Sequence, residues 1–218
     1  MISFSLKRRI FYLLLPFRDI TVSTLAFRTH LRSCYYVLSW SIDLDPTVKI
    51  DVLNPTASIP DVANNEAEFN DNSVVLKLTH GNFSALLTGD MGERNEARLT
   101  FKNATILDAD VLKAGHHGSR TSGSSAFLNA VTPEVVIISL GAGNSYGHPH
   151  QEALDRISAS GAQYLLRTDI DGTITLTSDG GGNYSILTEK CAKKLLTFRI
   201  SDGMSIPTIA LILIIAYK

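Results

Sequence analysis

The sequence predicts a layered domain of α/β or α+β class, on three grounds. Short apolar strands alternate with helix-length segments between residues 41 and 189. One strand, residues 134–140 (EVVIISL), is apolar almost throughout, the pattern of a strand covered on both faces. Hydrophobic residues make up 44% of the chain against 19% charged, enough for a real core, which excludes disordered, collagen-like and disulfide-scaffold classes. A length of 218 residues suits one domain with additional ends rather than two full-sized domains.

Taken in order, residues 48–55 (VKIDVLNP) alternate as a strand that stops at Asn54-Pro55, and 58–72 form a polar, acidic loop. Residues 73–79 (SVVLKLT) and 83–88 (FSALLT) read as a hairpin joined by His80-Gly81-Asn82, whose glycine and asparagine tolerate the positive φ of a tight turn. Gly89-Asp90 ends the second of these strands, and 93–99 can make a helical turn or two. Residues 109–114 (ADVLKA) read as a buried strand leading into Gly115-His116-His117-Gly118-Ser119. Then come a short helix over 125–131, the 134–140 strand, and an amphipathic helix over 149–160 with Pro149 in its first turn and Gly161 at C′. Residues 163–167 make another strand, and 168–189 read as two or three more, with turns at Asp171-Gly172 and Asp179-Gly180.

The formal charge of −1 conceals a division along the chain. Residues 1–40 carry six basic groups against Asp19, and 190–218 carry five against Asp202. The centre, 41–189, holds nine Lys and Arg against nineteen Asp and Glu, a field that repels nucleic acid unless bound cations or a local basic loop reverse it. Both flanks look foreign to the centre, giving three parts: a basic apolar flank (1–40), the organised unit (41–189) and a basic then apolar tail (190–218). The run Ile10 to Leu15 is followed by Pro16, Arg18 and Asp19, unlike a working signal peptide. The apolar stretch 206–217 is too short for a spanning helix and reads as a buried or aggregation-prone β segment, so no membrane span is assigned. Cys34 and Cys191 lie in the flanks without metal or disulfide spacing.

Three motifs carry candidate chemistry. Asp90 follows an apolar strand and a glycine, so its carboxylate stands at a sheet edge, either as a metal ligand or as a turn cap. His116 and His117 close a strand and are followed by small residues; the pair suits zinc or manganese, or is ordinary surface. In the loop Asn144-Ser145-Tyr146-Gly147-His148-Pro149-His150, His148 ligates a metal, donates to a phosphate or caps the turn, and the following helix start offers amides to an anion. Ser119, Tyr146 and His148 are the substrate-binding candidates. His80, in the hairpin turn, and His30 read as solvent-exposed. No GxxxxGK[ST] phosphate loop occurs, and metal-assisted hydrolysis is the chemistry these motifs suit.

Together, NDNSVVLKLTHGNFSALLTGD, ADVLKAGHHGSRTSGSSAFLNAVTPEVVIISLGAGNSYGHPHQEALDRI and RTDIDGTITLTSDG resemble the metallo-β-lactamase-fold domain of the ComEC/Rec2 family of DNA-internalisation competence proteins. LLTGD, GHHGS and NSYGHP stand in the family's order and spacing across 43–189. The resemblance implies an αββα sandwich with a metal site at the sheet edges, where a metal-activated water attacks a phosphodiester of incoming DNA, single- or double-stranded. It also implies a membrane-associated or extracytoplasmic setting. It assigns Asp90 as a ligand able to bridge two zinc or manganese ions, His116 or His117 as the histidine ligand, and His148 as the GHP residue beside them.

The family's HxHxDH motif, which supplies three or four further ligands, is absent from this sequence. The expectation is therefore an incomplete domain, the C-terminal half of the sandwich with unrelated flanks, as in a truncated copy. Such a chain is either a weak hydrolase completed by another chain, or a catalytically inactive remnant or interaction module. A half-sandwich also predicts an uncovered face on strands such as EVVIISL, and hence self-association.

Overall fold

The computed structural model describes residues 2–6, 9–14, 47–55, 70–190, 195–198 and 211–215. Outside them lie most of the expected 58–72 loop, His30, Cys34 and Cys191. Twelve strands stand among the described residues: β1 (Ile2–Leu6), β2 (Arg9–Leu14), β3 (Val48–Asn54), β4 (Val75–His80), β5 (Phe83–Leu87), β6 (Val111–Lys113), β7 (Val135–Ile138), β8 (Tyr164–Arg167), β9 (Ile174–Ser178), β10 (Tyr184–Thr188), β11 (Leu195–Phe198) and β12 (Leu211–Ile215). The α-helices delimited among the described residues are α1 (Glu93–Asn103), α2 (Ser125–Val131) and α3 (Gln151–Ala159), with a single helical turn α4 (Thr168–Asp171).

The strands form two six-stranded sheets, ordered β3-β4-β5-β6-β7-β8 and β1-β2-β12-β9-β10-β11. In the first, β3, β4 and β5 run antiparallel and β5 to β8 parallel. The second is antiparallel throughout. Period-two alternation divides the first sheet's side chains between two cores. Phe83, Ala85, Val111, Val135 and Ile137 meet Ile174, Leu176, Tyr184, Ile186 and Leu213 of the second sheet. Leu86, Leu112, Val136 and Ile138 face the other way, against Leu99, Phe127, Leu128 and Ile157 of the helices. The architecture is α/β, with a layer of helices, a mixed sheet and an antiparallel sheet. Among the described residues the fourth layer of an αββα arrangement does not appear.

Several expectations change. All four residues of β7 are buried, two against each core, so EVVIISL has no uncovered face and the premise for self-association through it fails. The cover comes in part from a segment whose composition sets it apart from the centre: β12 lies between β2 and β9 and buries Leu211, Leu213 and Ile215. His80 is the last residue of β4 and only 3% exposed, with Nδ1 3.2 Å from Ser178 Oγ. It is not a solvent-exposed turn residue, because the β9–β10 turn packs on the β4–β5 turn and Asn82 N–H donates to Gly180 O at 3.0 Å. Helix α3 starts two residues later than expected, with His150 as its N-cap rather than Pro149 in its first turn; Gly161 does take the positive φ (+84°) expected at C′. No helix among the described residues is long and apolar enough to cross a membrane.

Candidate functional site

In an open sheet with parallel strands, ligands bind where loops leave the strands' carboxyl ends. Here Asp90 follows β5, the 115–118 turn follows β6, and the 141–150 loop follows β7. Each motif singled out in the sequence therefore arrives at one edge.

The turn holding Asp90 is fixed from three directions. Gly89 takes φ +57°, the left-handed region that glycine enters without penalty. Its carbonyl accepts from Lys113 Nζ at 2.8 Å and from His116 N–H at 3.2 Å, and Asp90 N–H donates to Ser73 Oγ at 3.0 Å. Lys113 is 2% exposed, the cation that interrupts the apolar run ADVLKA, and Thr88 Oγ1 donates to its carbonyl at 2.7 Å. Sequence reasoning does not find Ser73 and Lys113 as supports. Only the lysine leaves a signal, a charge inside a buried strand.

Residues Gly115–Gly118 make a tight turn in which His116 (φ 44°) and His117 (φ 54°) are both left-handed. Consecutive non-glycine residues in this region are strained, and such strain gathers at functional sites. The turn aims the two imidazoles differently. The Nδ1–H of His117 donates to the Ser139 carbonyl, which leaves Nε2 as the ring's other nitrogen, 3.3 Å from Asp90 Oδ1. A backbone carbonyl accepting from one ring nitrogen is the contact that orients metal-binding histidines, and here it leaves the other nitrogen facing Asp90. The His116 ring meets His148 edge-on at 5.4 Å.

The third motif closes over these groups. Asn144 clamps its loop, Oδ1 accepting from His148 N–H at 3.0 Å and Nδ2 donating to the His148 carbonyl at 2.7 Å. His150 N–H donates to Gly118 O at 2.9 Å, tying the loop to the 115–118 turn. The His148 ring lies 6.3 Å from His117, 4.8 Å from His150 and 5.8 Å from Tyr146. Burial, followed by the neighbouring imidazoles of His116, His150 and His117, lowers the His148 pKa to about 4, so this ring is neutral at pH 7. Ser119 is buried, with Oγ 3.1 Å from Thr121 Oγ1 in its own loop.

The lowered pKa of His148 has a consequence for stability. The unfolded chain takes up a proton as pH falls past 6.5, whereas folded His148 resists until about 4, so its contribution is present above 6.5 and is lost on descent through that window. Urea denaturation of the parent and of His148→Gln should show the parent losing more stability between pH 6.5 and 4. Equal pH slopes would remove His148 as a source of the acid sensitivity.

Asp90 and His117 supply two convergent donors, oxygen and nitrogen, of the kind zinc and manganese accept. A catalytic zinc site takes three protein donors, and among the described residues no group of three or more His, Cys, Asp or Glu is arranged to hold a metal ion. The pair fits part of a metal site and does not by itself complete one.

No protein-family model matches the chain. It is similar to the competence protein ComA of Neisseria gonorrhoeae, 42% identical over 113 residues that cover 52% of this chain and 16% of that protein. It is 40% identical over 129 residues to ComE operon protein 3 of Bacillus subtilis, covering 58% of this chain and 15% of that one. Over 88 residues it is 41% identical to Recombination protein 2 of Haemophilus influenzae, covering 40% and 11%. The matched region thus corresponds to between 11% and 16% of each of these relatives' length.

Proposed function

We propose that this chain contributes the Asp90–His117 half of a divalent-metal hydrolase site acting on phosphodiesters, DNA foremost, in the internalisation of DNA. The observation that carries the reading is the His117 ring, held by the Ser139 carbonyl and directed at Asp90 at 3.3 Å on the edge of the parallel strands. Two supports stand beside it. The relative at 42% identity is named a competence protein, and LLTGD, GHHGS and NSYGHP meet at one place in the fold.

In this reading a bound divalent ion supplies Lewis acidity toward a phosphoryl oxygen. Asp90 and His117 hold two of its positions, Lys113 and Ser73 keep the Asp90 turn in place, and neutral His148 offers a hydrogen bond to a phosphate oxygen without carrying charge. The remaining donors, the counterpart of HxHxDH, come from another polypeptide segment. A second reading, a non-catalytic binding or interaction module, is favoured by the absence of a third donor among the described residues.

Titration of the full chain with Mn²⁺ or Zn²⁺, followed by native mass spectrometry and calorimetry, separates the two. The half-site reading expects saturable uptake of a single ion, weakened about tenfold or more in Asp90→Asn and His117→Gln, as for loss of a ligand or its orienting partner. Uptake indifferent to both substitutions favours the non-catalytic module.

A further inference from the structure

Three rings of the site lie nearly parallel. His117 and His148 are inclined by 28° with centroids 6.3 Å apart, and His148 and Tyr146 by 21° at 5.8 Å. The series runs from a histidine 7% exposed to a tyrosine 77% exposed. Tyr146 therefore rests toward the His148 ring, which lies between it and His117, and turns most of its surface to water. Its loop is not free to bury it, because Asn144 clamps the backbone on either side and the His150 N–H anchors the loop to Gly118. A lone exposed tyrosine is ordinary. A tyrosine that ends a stack of planar groups on a clamped loop is a platform whose next layer is another planar group.

We infer that Tyr146 is a stacking platform for an unpaired nucleobase, making it a specificity-determining residue that selects single-stranded nucleic acid at this site. The inference rests on the phosphodiester reading above and deepens it. In a duplex both faces of an internal base are covered by its neighbours, so such a base reaches Tyr146 only after unstacking, whereas a single strand presents its bases free. Stacking of this kind is tolerant of sequence because every base has a π-face. The rim also carries Arg120, whose N–H donates to His150 Nδ1 at 3.2 Å and whose largely exposed guanidinium lies 3.6 Å from Glu152. It is a cation paired with Glu152 at the surface of a unit whose net charge is acidic.

The test uses the full chain in EDTA, so that no metal contributes, with three fluorescent probes at fixed low salt. These are oligothymidylate, an abasic oligomer of equal length and charge, and a hairpin duplex. Tyr146→Ala should weaken oligothymidylate binding by about 5- to 100-fold, the range for loss of one stacked base, while changing the abasic probe less than about twofold. Tyr146→Phe, which keeps the ring, should stay within about twofold of the parent on every probe. Equal losses on the thymidylate and abasic probes, no loss on either, tighter parent binding to the duplex than to the single strand, a Phe variant as weak as Ala, or no binding by the parent would each overturn the inference. Asp90-dependent Mn²⁺ uptake without base discrimination removes the platform and leaves the half-site. Base discrimination without such uptake removes the half-site alone.

Discussion

Replacing Gly118 with alanine is expected to destabilise the chain by about 3 kcal/mol and to disorganise the 141–150 loop over the site. Gly118 has φ +75°, a region where a Cβ costs about 1–2 kcal/mol. A Cβ there would also stand 2.8 Å from Pro149 Cβ and 3.3 Å from Ile138 Cδ1, an overlap worth about 1–3 kcal/mol if neighbours must shift. The carbonyl of the same residue accepts the His150 N–H at 2.9 Å, so a shift of Pro149 draws on the bond that seats the loop. Gly123 supplies an internal control: its φ is +71° but nothing lies within 4 Å of the position a Cβ would take, so Gly123→Ala should cost only the conformational penalty, about 1 kcal/mol. Denaturant midpoints of the two variants, read with the histidine NMR resonances, give the comparison. If both cost the same and the His148 and His150 resonances stay put, the close approach to Pro149 has no energetic role.

Glu96→Ala should cost about 2–3 kcal/mol, the second large effect. Glu96 is fully buried on α1, and its carboxylate accepts from Gly123 N–H at 2.6 Å and Ser124 N–H at 2.8 Å, just ahead of α2. An acidic group at that position satisfies amides at the helix start and interacts favourably with its dipole. Arg156 of α3 holds the same segment from the other side through the carbonyls of Arg120, Ser122 and Gly123. Alanine leaves the two amides without the carboxylate and opens space in the core, an effect offset in part by removing a buried charge. Burial raises the Glu96 pKa against the opposing pull of the Ser124 and Gly123 amides. A raised folded pKa means that Glu96's titration-linked stability is full below its unfolded value and declines as pH rises through the folded one. Glu96→Gln, which cannot ionise, should therefore show its largest deficit below pH 4.5 and a smaller one at neutral pH. A deficit that widened with pH would show that Glu96 is ionised more readily in the fold than in the open chain.

Much of the site is legible along the chain because its parts are local. LLTGD and GHHGS each pair glycines with a polar residue at a strand end, and Asp90, His117 and His148 do come together. Which imidazole of the pair meets Asp90 is not legible. It depends on two successive left-handed residues and on the Ser139 carbonyl, 22 positions away, that fixes one ring. Ser73, Lys113 and Glu96 escape sequence reasoning for the same cause, since each acts across 17 to 28 positions through a hydrogen bond that no periodicity records.

By itself the sequence determined the α/β class, the order of the main strands and helices from residue 48 to 167, and the presence of three chemistry-bearing motifs. Those follow from side-chain alternation, turn-forming residues and apolar runs, which act between near neighbours. Beyond 167 it left the number of strands open and did not show the helical turn α4. Only the tertiary structure decided that Leu211–Ile215 enters the second sheet, that EVVIISL is covered on both faces, that His80 is buried at the junction of two turns, and that Tyr146 ends a stack of rings. Each depends on which surfaces meet after collapse, and burial of apolar area has no direction along the chain by which a sequence could announce its partner.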